Sequence, residues 1–494
     1  MAAARKWWET PPPSPPPADG SQPDLDFKPL DTQSVPDTGD QLLTRRVHIL
    51  GTGSIGTLVA HSLAILPNPP PITLMLHRPE LWEDFKAGGR IVRLVNKATD
   101  VNDEQRGFNV DLLESRSGKP FWKYISATTR PNEHQASSFD NPRTETHPPT
   151  KEELLRSGQV FIYTLIVTVK GPATVQALMN ARHRIDSRTT VLLMQNGMGQ
   201  IEELNQKVFT DPRRRPTYML GIISHGCYMA GPFAVNHAGF GTVALGIWRD
   251  PDKYPLPPKD DPRLPSEIPE AEKKKLYPTE EDLYSNLSSR YLLRTLTRST
   301  VLACAAYPYL DLFQLQLEKL VTNCIINPIT AILDFPNGSL LNNKPLTRVQ
   351  RLLIAEIAVV IRNMPELEGI PNVRIRFSPS RLEQLVRNMT NQTAENSSSM
   401  REDMRRLKTP EIDYINGYIV KRGEEQGIRA VMNYLVMQLV KGKIEYMDSQ
   451  GMATIPKDKS EQTSTLNGDA VVLEDLQGRE GQDMQDDHIP ISRS

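Results

Sequence analysis

The sequence predicts a doubly wound α/β sheet followed by an all-α C-terminal domain, and three observations carry that reading. Between about 45 and 250, short β-branched runs alternate with amphipathic runs of helical period, the pattern of parallel strands joined by crossover helices. Several of those runs, such as Val160-Phe161-Ile162-Tyr163-Thr164-Leu165-Ile166-Val167, are near-continuously apolar, as strands buried on both faces should be. After about 286 the strand signal fades and long amphipathic stretches take over.

In chain order, residues 1–44 read as a disordered proline-rich tail around Pro11-Pro12-Pro13-Ser14-Pro15-Pro16-Pro17. The first regular unit is Val47-His48-Ile49-Leu50-Gly51-Thr52-Gly53-Ser54-Ile55-Gly56, an apolar run entering glycines spaced G-x-G-x-x-G. Helical spacing then continues through Leu58, Val59, Leu63 and Leu66 to Pro67. Strand, tight turn and helix in that order form the context in which the glycine spacing marks a dinucleotide site. Gly51 permits the turn, Gly53 lets a pyrophosphate approach the backbone, and Gly56 lets the helix pack close to the strand. The free N–H groups of Ser54 and Ile55 stand at the positive end of the helix dipole. A second strand covers Ile72–Leu76, and residues 91–95 hold a candidate third. From about 96 to 150 the chain is polar and without period, which predicts an insertion, mostly loop. Regular structure resumes with a helix near 150–156, the strand ending at 167, a helix near 172–184, a strand at 191–194, a helix near 199–208 and a strand at 218–223. Residues 251–285, rich in Pro, Asp, Glu and Lys, read as a linker or second insertion. The helical domain is expected over 286–447, with stretches at 286–305, 310–327, 347–363, 380–389, 411–425 and 430–445, and a disordered acidic tail over 448–494.

Composition narrows the function. The 494 residues suffice for two or three domains, and a formal net charge of -1 gives no electrostatic case for nucleic acid. The three cysteines, Cys227, Cys304 and Cys324, are sparse and lack C-x-x-C spacing, which argues for a reducing compartment and against a disulfide framework or zinc site. No uninterrupted apolar run approaches the roughly 20 residues that span a bilayer. A cytoplasmic protein is expected; Arg5, Lys6, Trp7 and Trp8 give a faint transit-peptide signal that keeps a mitochondrial address as the alternative.

The end of the second strand bears on the cofactor. NAD-preferring folds place Asp or Glu there for the ribose 2′-hydroxyl, whereas this chain has His77-Arg78-Pro79. An arginine can pair with a 2′-phosphate, which points to NADP(H). Lys170 and Asn196 close two later strands, where ligands of open α/β sheets bind. Downstream, Lys319, Asn323 and Asn327 are spaced i, i+4, i+8 along one face of an otherwise apolar helix. Buried there, they need polar partners, supplied either by a ligand or by a helix-to-helix network. Pro328 should end or kink this helix just after Asn327. Asn337-Gly338 makes a nearby turn, Ser397-Ser398-Ser399 precedes a helix start, and Thr409-Pro410 reads as another start with Glu411 and Asp413 in its first turn.

These stretches together resemble the ketopantoate reductase (2-dehydropantoate 2-reductase) family. The resemblance rests on Val47–Gly56 with Arg78, Thr168-Val169-Lys170, and Gln195-Asn196-Gly197-Met198-Gly199 with Glu202-Glu203-Leu204. It extends through Ser224-His225-Gly226-Cys227 and Asn236–Gly241 to Glu318–Ala331, Phe335-Pro336-Asn337-Gly338, Glu395–Met400 with Asp403, and Glu411-Ile412-Asp413-Tyr414-Ile415-Asn416-Gly417. It implies a Rossmann-like first domain, a second domain like the C-terminal domain of 6-phosphogluconate dehydrogenase, and NADPH-dependent reduction of ketopantoate to (R)-pantoate on the route to coenzyme A. By motif, Lys319 takes the catalytic lysine role. Asn323, Asn327 and Asn337 take substrate contacts, Ser399 the carboxylate side, and Glu411 the hydroxyl end while orienting Lys319. Gly51, Gly53, Ser54, Ile55, Gly56, Arg78, Lys170 and Asn196 face the cofactor, and no metal is implied. The implied partner is a small 2-oxo acid, without nucleic acid or membrane, and a homodimer stays open. Two alternatives remain: a reductase of another branched 2-oxo acid, and a non-catalytic NADPH-binding interaction protein.

Overall fold

The computed structural model describes residues 45–96, 101–116, 119–127, 161–258, 263 and 266–451. The expected N-terminal tail, the helix near 150–156 and most of the C-terminal tail lie outside the described residues.

The first domain is built on a nine-stranded sheet ordered β13-β12-β9-β8-β7-β1-β2-β5-β6. Its centre is β1 (Val47–Leu50), flanked in parallel by β2 (Ile72–Leu76) and β7 (Thr164–Val167). Beyond β7 follow β8 (Thr190–Leu193) and β9 (Thr217–Ile223), also parallel. All residues of β1, β2, β7 and β8 are buried, which explains why these runs carry no polar alternation. The order reverses at β1, so the connections leaving β1 and β7 run to opposite faces of the sheet and leave a crevice beyond the carboxyl ends of these paired strands. α1 (Ser54–Ala64), α2 (Pro79–Ala87), α3 (Thr174–Ala181) and α4 (Gln200–Lys207) are the helices between these strands.

The sequence expectation for 96–150 needs correction. Residues 101–125 are not mostly loop but contain β4 (Val101–Gln105), β5 (Asn109–Arg116) and β6 (Lys119–Ile125). β5 joins β2 in parallel and β6 returns antiparallel at the sheet edge. Their inward residues Val110, Leu112 and Trp122 are buried, and so is Asp111, whose carboxylate meets Arg184 Nη1 at 2.8 Å. A buried aspartate reads as loop until the arginine that neutralises it is known. β3 (Val92–Asn96) is not a third strand of the main sheet. It pairs with β4 in a second sheet ordered β10-β11-β3-β4, with β10 (Gly226–Gly231) and β11 (Ala234–Gly239). This small sheet covers α1, whose residues from Gly56 to Leu63 are all buried.

The domain limits also shift. Within 251–285 the chain forms α5 (Glu270–Leu276) and α6 (Glu280–Leu283), with Leu276, Leu283 and Tyr284 buried. α7 (Leu287–Thr297), expected in the helical domain, packs Leu292, Leu293 and Leu296 into the core of the first. β12 (Val243–Ile247) runs antiparallel to β9, and β13 (Cys304–Ala306) pairs in parallel beside β12, so the sheet recruits the chain up to 306.

The helical domain is centred on α8 (Tyr309–Leu333), surrounded by α9 (Lys344–Arg362), α11 (Pro379–Gln392), α12 (Ser399–Arg405) and α14 (Val431–Ser449); the short α10 (Val373–Arg376) precedes α11, and α13 (Asn416–Glu425) packs beside α14. Pro328 does not end α8, which continues as one helix to Leu333. A proline at 328 has no N–H for the carbonyl four residues back. That carbonyl, on Cys324, instead accepts from Asn416 Nδ2 at 3.0 Å. The expected helix start at Thr409-Pro410 is also corrected: residues Ile412–Tyr414 form one 3-10 turn, the backbone breaks at Ile415, and α13 begins at Asn416. The preceding segment is drawn to the first domain by Glu411 and Tyr414.

Candidate active site

The carboxyl ends of β1, β7, β8 and β9 face the side of the helical domain that carries Lys319. The turn after β1 needs its glycines. Gly51 has φ +105°, and a Cβ there would stand 2.8 Å from the Val169 nitrogen. A Cβ on Gly56 would collide with the Gly51 carbonyl, so α1 can sit against the turn only without one. At Gly53 nothing lies within 4 Å of the Cβ position, leaving the outer face of the turn open. Ser54 and Ile55 begin α1, and their N–H groups belong to its unsatisfied first turn. Arg78 stands two residues beyond the end of β2, at the N-cap of α2 with extended backbone. A tight turn, an open approach at Gly53 and a cation at the end of β2 fit a phosphorylated dinucleotide.

The two domains meet through polar contacts. Lys319 Nζ, on α8, donates to the Ile223 carbonyl at the end of β9 at 2.6 Å. Glu411 is buried and accepts the Gly171 backbone N–H at 2.9 Å, with Asn196 Nδ2 at 3.5 Å from its other oxygen. Lys170 forms a two-point ion pair with Asp403, at 3.0 and 2.8 Å. Met198 N donates to the Tyr414 carbonyl at 2.7 Å, and Tyr414 Oη donates to Glu203 at 2.6 Å. Gly171 and Gly197 both press on Tyr414, because a Cβ at either would strike it. Lys319, Asn323, Gln316, Asn196, Gly197 and Gln195 line one narrow cleft between the domains.

Burial sets the charges. Desolvation lowers the Lys319 ammonium to about 8, against the opposing pull of Glu411. The Asp403 carboxyl is pushed up to about 6 by burial, although Lys170 favours its charged form. A lysine poised near neutrality beside an acidic partner can hold or release a proton at working pH.

The structure brings together Lys319, Asn323, Asn196, Lys170 and Glu411. Asn327 is buried further along α8. Asn337 is turned to its own domain, donating to Thr393 Oγ1 at 3.0 Å. Ser399 is exposed; the buried hydroxyl of that run is Ser398, which caps α12 through Arg401 N and meets Thr330 Oγ1 at 2.7 Å. Asp403, Tyr414 and Gln316 were not singled out as site residues from sequence. The first two stand inside motif blocks; nothing local marks the third.

Two family models and several known proteins resemble this chain. The model "Ketopantoate reductase PanE/ApbA" matches residues 130–250, and "Ketopantoate reductase PanE/ApbA C terminal" matches residues 311–444. A protein named "Probable 2-dehydropantoate 2-reductase" from Schizosaccharomyces pombe is 28% identical over 412 residues, covering 81% of this chain and 97% of its own. The 2-dehydropantoate 2-reductase of Escherichia coli O157:H7 is 30% identical over 295 residues, covering 59% of this chain and 78% of its own. The ketoisovalerate reductase BEA2 of Gibberella fujikuroi is 25% identical over 411 residues, covering 76% and 78%. Among solved structures, the PanE/ApbA family ketopantoate reductase from Ralstonia eutropha JMP134 superposes with a TM-score of 0.53 at 19% identity, covering 82% of this chain and 99% of that one. The expected two-part fold is thereby borne out, and this chain belongs to the ketopantoate reductase family of oxidoreductases.

Proposed function

We propose that this protein reduces the 2-oxo group of ketopantoate with NADPH to give (R)-pantoate. The observation that carries the reading is Lys319, a lysine with its ammonium lowered to about 8 in a cleft shared with Asn323 and Asn196. Gly51, Gly53, Ser54, Ile55 and Gly56 hold the pyrophosphate, and Arg78 takes the 2′-phosphate. Bound there, the cofactor supplies hydride to the carbonyl carbon. Lys319 donates its proton to the carbonyl oxygen, and its charge favours the developing alkoxide. The Ile223 carbonyl fixes the ammonium in place. Glu411 raises its basicity and, with Asn323 and Asn327, positions the substrate. Ser399, the first residue of α12, takes the carboxylate side of the substrate. Lys170 and Asn196 stand at the cofactor–substrate border.

The test is NADPH oxidation with ketopantoate by the wild-type protein and by Lys319→Ala. The variant should lose about two to four orders of magnitude in kcat while keeping NADPH affinity. An active variant overturns the role of Lys319. The kinship with a relative named ketoisovalerate reductase supports a second reading, reduction of another branched 2-oxo acid by the same residues.

Among the described residues no helix is long and apolar enough to cross a membrane. All three cysteines are free thiols, which supports a cytoplasmic location. A homodimer is supported by the exposed apolar stripe of α14, where Val431, Leu435, Leu439 and Tyr446 share one face. Light scattering on Leu435→Glu/Leu439→Glu should then report a monomer.

A further inference from the structure

A second cavity, of about 420 Å³, lies between the domains. It shares Gln200, Leu220 and Gln316 with the Lys319 cleft, but neither Lys319 nor Asn196 lines it. The first domain contributes α4 and the loop after β12. The helical domain contributes Tyr309 and Phe313 from the start of α8, and Tyr418 from α13. With Trp248, these rings make a largely aromatic wall.

Two charges in this cavity have no ion pair among the described residues. Arg215 is paired with Asp250 and Asp252, and Arg422 with Glu366. Glu202 is different: it stands in the first turn of α4, and among the described residues no lysine or arginine pairs with its carboxylate within 4.0 Å, Lys421 and Arg422 acting on it only from further off. Its surroundings are dry enough to push the carboxyl above its usual range. Arg249 is fixed by three backbone carbonyls, donating from Nε to Tyr254 at 2.9 Å and from Nη2 to Pro255 and Leu276 at 2.5 and 2.9 Å. Those bonds leave Nη1 over, and among the described residues no carboxylate pairs with this guanidinium. On the wall shared with the Lys319 cleft, Gln316 Oε1 is buried without a hydrogen-bond partner.

A carboxylate and a rigid guanidinium, each without an ion pair among the described residues, and a spare carbonyl acceptor share one aromatic-walled space. Each costs free energy until a ligand group of opposite character meets it. We propose that this cavity is a second ligand site that takes a small zwitterion with an apolar or aromatic body. Its ammonium sits on Glu202 and Gln316 Oε1, and its carboxylate on Nη1 of Arg249. The reduction chemistry at Lys319 uses neither Glu202 nor Arg249.

Calorimetric titration of the full chain with three probes tests the assignment: phenylalanine, 2-phenylethylamine, which lacks the carboxylate, and 3-phenylpropanoate, which lacks the ammonium. Phenylalanine should bind, and each single-pole probe should bind at least about tenfold more weakly. Glu202→Gln, which keeps shape and removes charge, and Arg249→Gln should each weaken phenylalanine by a similar factor, with melting temperature as the check on folding. Lys319→Ala should leave phenylalanine binding unchanged. Equal binding of all three probes, no binding of phenylalanine at millimolar concentration, retention of binding in Glu202→Gln, or loss of it in Lys319→Ala overturns the proposal.

Discussion

Lys319 shows how one residue's setting defines its chemistry. Burial lowers its ammonium to about 8, and the Glu411 charge holds it from falling further. The proton-donating form is therefore present below about pH 8 and lost as pH rises through it. The pH profile of kcat/KM for ketopantoate should fall above pH 8, and Glu411→Gln should move that fall to lower pH. A second expectation concerns Arg78: Arg78→Ala should weaken NADPH by about tenfold or more and NADH far less, because only the former carries the 2′-phosphate. Equal losses would contradict that contact. Lys319 and Asn323 were legible in the sequence because polar groups at helical spacing in an apolar helix need an explanation. Tyr414 was not, because its place between Gly171 and Gly197 arises only when two distant segments meet.

Among the elements, α8 departs most from local rules. A proline inside a 25-residue helix reads as a stop, and it is tolerated because Asn416 satisfies the carbonyl of Cys324. Asn416 Nδ2 also donates to Asn433, which bonds to Glu356, so the repair is anchored on α9 and α14. Asn416→Leu should cost about 1–3 kcal/mol in denaturant unfolding, from the unsatisfied buried carbonyl. A change within a few tenths would show that the bond contributes little. The central strands were legible because burial on both faces leaves an apolar run. The strands between 101 and 125 were not. β4 is held by its backbone ladder on β3 and exposes Asn102, Asp103 and Glu104, while β5 buries Asp111 against an arginine at 184.

Across the whole molecule, function depends on two domains held edge to edge. The first is stabilised beneath its sheet by the Asp111–Arg184 pair, both nearly inaccessible to solvent. Arg184→Met would strand a buried carboxylate and should cost about 3–5 kcal/mol in unfolding free energy. Across the cleft, the Lys170–Asp403 pair is intact above about pH 6 and lost as pH falls through it, since Asp403 then takes a proton. KM for ketopantoate should rise below pH 6, and in Asp403→Asn it should be higher throughout and lack that acid limb. The two-domain order was readable from the change of period near 286, yet the boundary was not. α7 and β13 carry helical or neutral local signals, and only their packing on the first sheet assigns them.

The most direct measurement is kcat/KM for NADPH oxidation with a panel of 2-oxo acids that includes ketopantoate and ketoisovalerate, which differ by one hydroxymethyl group. The account predicts ketopantoate as the best substrate, with the advantage lost in Glu411→Gln. Equal or greater activity on ketoisovalerate, or no oxidation of NADPH with any member, would contradict it.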